Sequence, residues 1–314
     1  MLSRIAESLY WVGRYVERAE DSARLLDVQY HLLVEERRPN EVDICRALLA
    51  VMGVDPGTLG AAPTAAAVTE LLAGDPSYSG SITACIGAAW ENARGARESL
   101  SSEIWETLNA THQQLPGRFR NSTGSARHEL FQWIKDRAAA VTGLVDATLS
   151  RDDGWRFLVL GRSLERADMT ARLLAACDEQ TWGLTAWTTA LRCCSALEAF
   201  LRTYRRPVDG PTAVEFLLLD RLFPRSVYHV LGGAERRLAE LDPGAGRGGD
   251  RVGVDDEARR LLGRVCAQFE FLRVEEALRD LPRLLGKLQA DCAEVHAAVA
   301  RRYFRETRII EWSV

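Results

Sequence analysis

Two segments of this 314-residue chain carry the same charged pattern. Gly13-Arg14-x-x-Glu17-Arg18-Ala19-Glu20-x-x-Ala23-Arg24-Leu25-Leu26 returns as Gly161-Arg162-x-x-Glu165-Arg166-Ala167-Asp168-x-x-Ala171-Arg172-Leu173-Leu174, with nine of fourteen positions identical. On a helix, Gly13, Glu17, Glu20 and Arg24 fall within a wedge of roughly 60°, and Gly161, Glu165, Asp168 and Arg172 fill the same wedge in the second copy. Carboxylates gathered on one face suit three tasks: holding a divalent cation, binding an amine, or serving as general acid and base. Arginine in the same seam suits another, because its planar fork binds a carboxylate bidentately. Two readings therefore stand. In one, the two helices cross near Gly13 and Gly161, and the acids and arginines form a half-buried ion-pair network. In the other, Glu17, Glu20, Glu165 and Asp168 converge on a shared pocket.

The glycines favour a close approach. A helical glycine costs about 1 kcal/mol relative to alanine, and its presence at one place in both copies implies that a backbone or ligand comes near. A second polar cluster occurs only in the first half: Glu91-Asn92-Ala93-Arg94, Arg97 and Glu98, then Ser101, Glu103, Trp105 and Asn109. It is either an extension of the site or a solvated helix face.

These residues must be carried by helices. Ile5, Leu9, Val12, Val16, Ala19, Ala23, Leu26, Tyr30 and Leu33 step by four and three, which predicts a first helix about 45 Å long. Its expected stop is Arg37-Arg38-Pro39-Asn40. Further helices are expected near 41–52, 64–73, 80–100, 102–114, 125–149, 153–181, 184–204, 211–220, 225–241, 254–279 and 281–304. The expected breaks are Gly53–Pro63, Pro116–Gly124 and Pro243–Gly253. No stretch alternates with period two, so the fold class is all-α, a helical bundle. Ser81-Ile82-x-x-x-Ile86-Gly87-x-Ala89 is answered by Ser226-Val227-x-x-x-Leu231-Gly232-x-Ala234. With the charged repeat, this implies two tandem homologous halves, about 1–148 and 149–304. They are expected to pack about a pseudo-twofold axis as one unit spanning 1–314, with a short C-terminal tail.

Composition excludes several function classes. Forty basic residues stand against 44 acidic ones, so no global basic field is present to hold nucleic acid or an anionic membrane. Only Lys135 and Lys287 are lysines; the other basic residues are arginines. Seven cysteines include no CxxC pair, which predicts buried free thiols in a reducing cytoplasm. The apolar positions of residues 1–16 are interrupted by Arg4, Glu7 and Arg14, so no signal peptide is expected. GxGxxG, Walker A, HExxH and GxSxG patterns are absent. No histidine forms a Glu-x-x-His pair, so no dedicated metal site or cofactor is expected, apart from a divalent cation at the acidic cluster. His31 and the vicinal Cys193-Cys194 read as structural, and the eight tryptophans as packing residues.

The opening residues 1–20, with Glu17-Arg18 and Glu165-Arg166, resemble the bacterial alpha-E family, helical proteins with a repeated Glu-Arg motif. Glu91-Asn92-Ala93-Arg94 with Trp105 and Asn109, and Pro224-Arg225-Ser226-Val227, extend the resemblance over essentially the whole chain. The resemblance implies context rather than a reaction. Such proteins are commonly encoded beside, or fused to, circularly permuted ATP-grasp proteins, with transglutaminase-like proteins as frequent neighbours. ATP-grasp enzymes join a carboxylate to an amine through an acyl phosphate. The expectation is an accessory component of a peptide- or amide-forming system, binding a separate ligase, its peptide substrate, or both. The alternative is an enzyme of peptide or amino-acid derivative metabolism, with its site between the two Glu-Arg helices.

Overall fold

The structure, a computed structural model, describes residues 1–35, 40–124, 126–177, 185–241 and 254–304. The predicted stop at Arg37–Pro39, the break at Pro243–Gly253, Trp182, Trp312 and the C-terminal tail lie outside the described residues. Most of those described are helical, with no strand among them.

Helix α1 runs Ser3–Glu35 and α7 runs Asp153–Ala175. They pack along each other at the centre of the molecule. In the first half, α1 also packs on α4 (Ile82–Gly95) and α6 (Ala126–Thr148), with α5 (Ser102–Asn121) bridging those two. In the second, α7 packs on α11 (Val227–Leu241) and α14 (Leu281–Tyr303), with α12 (Glu257–Glu270) bridging them. Shorter helices close the ends: α2 (Glu41–Val51), α3 (Ala65–Thr69), α8 (Ala186–Cys193), α9 (Leu197–Tyr204), α10 (Gly210–Leu219) and α13 (Val274–Arg279). This central position explains a departure from simple amphipathicity. Helix α1 buries Leu9, Val12, Val16, Ala19, Ala23 and Leu26 as its pattern predicts, but Glu17, Glu20, Asp21 and Asp27 are buried too.

Ser81 and Ser226 start α4 and α11 with the same bonds. Each hydroxyl accepts a backbone N–H, from Ala84 at 3.0 Å and His229 at 3.2 Å, and each donates back to a carbonyl, of Asp75 and of Asp220. Helix α2 ends on Gly53, whose φ of 70° places it in the left-handed region. Val54 and Gly53 there donate to the carbonyls of Leu49 and Ala50, closing the last turn.

Three predicted boundaries require correction. Helix α5 does not stop before Pro116 but runs through it to Asn121. Interior proline costs about 3 kcal/mol; here Leu115 is buried and Phe119 packs against the core, against Gly74. The stretch 184–204 is two helices, because Ser195 between them has a φ of 49°. Its hydroxyl accepts from Arg24, so a site arginine is tied to the break. The stretch 254–279 also divides, at Phe271–Arg273.

Candidate functional site

Where α1 and α7 cross, Gly13 and Gly161 are both buried, and each meets the other helix's backbone. Beside the crossing lie the two glutamates of the repeated motif, Glu17 and Glu165, at 1% and 2% exposure. Arg166 reaches Glu17 as a bidentate fork, with Nε 2.6 Å from Oε1 and Nη2 2.7 Å from Oε2. Glu165 receives Arg18 in the same two-pronged way, Nη2 to Oε2 at 3.0 Å, and Arg14 Nε at 2.6 Å. The fork geometry supplies both charge and direction. Burial alone would raise the Glu17 carboxyl; the guanidinium groups of Arg166 and Arg225 outweigh it and hold the group down at about 2. Burial likewise opposes the Glu165 charge, and Arg14 and Arg18 bring its pKa below the ordinary value.

The next turn differs between the two helices. Glu20 is paired with Arg24, and Asp168 with Arg172 at 2.7 Å, each within its own helix. On the α1 side, Arg225 inserts from the loop before α11. Its Nη1 donates to Glu17 at 3.0 Å and Asp21 at 2.9 Å, and its Nη2 to Glu20 at 2.7 Å. Tyr78-Ser79-Gly80-Ser81 in the first half aligns with Phe223-Pro224-Arg225-Ser226 in the second. Gly80 precedes Ser81 as Arg225 precedes Ser226. A cavity of about 210 Å³ lies there, lined by Arg18, Tyr78, Gly80, Glu165, Asp168 and Arg172. Burial raises the Asp168 pKa above the ordinary carboxylate value, against the pull of Arg172.

The structure thus brings together Arg14, Glu17, Arg18, Glu20, Arg24, Arg162, Glu165, Arg166, Asp168, Arg172 and Arg225. It does not bring Asn92, Arg94, Arg97 or Glu98 to the crossing. Asn92 donates to the Ala88 carbonyl one turn back, at 2.8 Å. Arg94 pairs with Glu91 in the open and lies over Trp90, Arg97 lies over Trp105, and Glu98 is exposed. This cluster is a solvated face stiffened by cation–π contacts. Cys193 and Cys194 are buried free thiols, as expected.

Sequence reasoning missed two groups. Asp21 is buried among Glu17, Glu20 and Arg225, with Oδ2 lacking a hydrogen-bond partner. Burial first, and the Glu17 charge next, push its pKa up to about 8. The second copy has Met169 at that position, so the repeat gave no signal. Asp27 is the other. It accepts from Lys135 at 2.6 Å and bonds His128 at 2.6 Å, with His31 3.8 Å away. His128 comes from α6, and only folding brings it to His31. The Lys135–Asp27 ion pair ties α1 to α6, and Asp27, His31 and His128 place one potential metal-ligand atom each within 4.8 Å of one another.

No helix among the described residues is long and apolar enough to cross a membrane. The comparisons with known proteins agree with this architecture. The Alpha-E family model, described as a predicted alpha-helical domain with a conserved ER motif, matches residues 1–304. An uncharacterized protein of Mycobacterium bovis is 24% identical over 316 residues, covering 93% of this chain. Uncharacterized proteins of two Mycobacterium tuberculosis strains show the same 24% identity and 93% coverage. This chain spans 36% of the length of each of these relatives. No solved structure matches. With its Glu-Arg pairs at 17–18 and 165–166 facing each other across the central crossing, the chain belongs to the Alpha-E family.

Proposed function

We propose that this chain is a non-catalytic binding component of an ATP-grasp-linked system that forms or modifies peptide or amide bonds. The observation that supports this most is the closure of the motif glutamates. Glu17 and Glu165 each give both oxygens to guanidinium groups of the opposing helix. A general base needs a lone pair within hydrogen-bond reach of its substrate. These acids instead clamp two helices. The Glu-Arg motif is then a device of assembly, and the surfaces it holds in place do the binding. A circularly permuted ATP-grasp protein is the partner that the family resemblance implies; a transglutaminase-like protein is a second. The same reading takes the chain as two tandem copies of one unit, supported by the matched Ser81 and Ser226 starts and the reciprocal glutamate clamps. The test is co-purification of this chain with the neighbouring ATP-grasp protein, with and without ATP. Association supports the proposal, and its absence in both conditions overturns it.

A second reading is favoured by the cavity beside Asp168. Its carboxyl, raised in pKa, lines a polar space with Arg18, Arg172 and Tyr78, and a raised carboxyl is suited to proton transfer. Asp168→Asn would then abolish turnover of a peptide or amino-acid derivative while leaving the melting temperature in place. Loss of the fold in that variant would remove this reading.

A further inference from the structure

Arg14 and Arg162 hold the same position in the two Glu-Arg segments, but their partners differ. Arg14 donates Nε to Glu165 at 2.6 Å. Glu17 is instead filled by Arg166 and by the inserted Arg225, so Arg162 is displaced from it. The Arg162 Nη1 is buried without a hydrogen-bond partner. The Oδ2 of the half-exposed Asp146 stands 3.8 Å off, outside hydrogen-bond reach. Arg14 and Arg225 have their pKa values raised by their carboxylates despite burial. Arg162 is shifted the other way, by burial first and by the adjacent Arg166 next. Arg162 is thus ion-paired with Asp146 at long range but keeps Nη1 free of any hydrogen-bonding anion.

The space beside it can supply room for one. A cavity of about 200 Å³ between α7 and α11 is lined by Arg162, Arg166, Arg237, His229, Trp155 and Pro224, among others, and no acidic residue lines it. Arg237 is steadied against the Trp155 ring, 4.8 Å from its centroid, and by Glu240 at 3.2 Å. Two nitrogens of Arg166 are spent on Glu17, and the third lies 3.3 Å from the Pro224 carbonyl oxygen. His229 Nδ1 is 2.9 Å from the Arg221 carbonyl oxygen. A carbonyl can only accept, so Nδ1 carries the proton, and Nε2 of the neutral ring is an acceptor that can meet only a donor of a ligand, such as a P–O–H group.

We propose that this cavity binds a phosphate group carried by a small molecule, with Arg162 as its principal donor. A carboxylate offers one charge and two oxygens in one plane. The walls here present donors of Arg162 and Arg237 and the hydroxyl of Ser163, with the His229 Nε2 as an acceptor for a P–O–H group, which match a tetrahedral phosphate better. The site shares Arg166 with the glutamate clamp but does not rest on the ligase-partner reading.

The test uses the full chain with inorganic phosphate, and with acetate as the carboxylate probe. Calorimetry is expected to show saturable phosphate binding, and phosphate is expected to raise the melting temperature more than acetate at equal ionic strength. Arg162→Gln should weaken phosphate binding about tenfold or more, as the loss of one charge-assisted contact does, while melting no lower than the parent without phosphate. Arg237→Gln, on a less enclosed side chain, should weaken binding by a smaller factor. No saturable phosphate binding, acetate binding as tightly as phosphate, or equal affinity in parent and Arg162→Gln would each overturn the proposal. Unfolding of Arg162→Gln would overturn it too, by showing that the arginine serves the fold.

Discussion

Gly13 and Gly161 each stand where the other helix's backbone leaves no room for a side chain. A Cβ on Gly13 would lie 2.1 Å from the Leu158 carbonyl oxygen, and one on Gly161 would lie 2.1 Å from the Tyr10 carbonyl oxygen. Real Cβ atoms do not approach so closely, and backbone cannot rotate aside as a side chain can. Gly13→Ala and Gly161→Ala should each destabilise the fold by about 2–3 kcal/mol, the usual cost of overpacking a tight contact. The double variant should cost less than twice that, because one separation of the helices relieves both clashes. Denaturant melts of the three proteins check both statements.

Glu17→Gln tests the clamp. It keeps the shape but removes the charge facing Arg166 and Arg225, leaving buried guanidinium groups under-compensated. The expected loss is about 3–5 kcal/mol, as for breaking a buried pair from one side. A melting curve matching the parent would show that the seam is not structural.

The acid cluster makes stability depend on pH in a predictable direction. Asp21 has a folded-state pKa of about 8, above the ordinary value of 3.8. Between those values the unfolded chain releases a proton that the folded chain keeps, so the Asp21 contribution to stability falls as pH rises from about 4 to about 8. Asp21→Asn should flatten that part of the profile. An unchanged slope in chemical denaturation across this window would contradict the assignment.

A second contribution, opposite in sign, falls within the acid half of that window. The Tyr10 hydroxyl is 2.9 Å from His296 Nδ1 and accepts from Arg14 at 3.3 Å. With its proton directed to His296, it joins the crossing to α14. Burial, then Arg14, lowers the His296 pKa to about 4 from 6.5. The folded chain thus refuses a proton that the unfolded chain takes up, and the His296 contribution to stability falls as pH drops through that interval. His296→Gln should remove this slope and leave the steeper loss at lower pH, where the buried glutamates protonate.

The sequence by itself determined the helical class, most helix positions, and the residues that meet at the crossing. These are local properties: apolar spacing, capping side chains, and a charged pattern written twice at one offset. It also identified the correct partner types, since buried glutamates beside arginines have few other ways to be satisfied. Tertiary structure decided what each charge does. Arg225 is far from Glu17 in sequence, yet its insertion occupies the glutamate and leaves Arg162 over. Asp21 and Met169 look like ordinary variation at one repeat position until burial makes the first a shifted acid. The Asn92–Glu98 stretch carries residues of the same types but faces solvent, because helix spacing fixes which residues share a face and only packing fixes what that face meets. Helix α5 continues through Pro116 for the same reason: local propensity sets a cost, and burial of the neighbouring side chains offsets it.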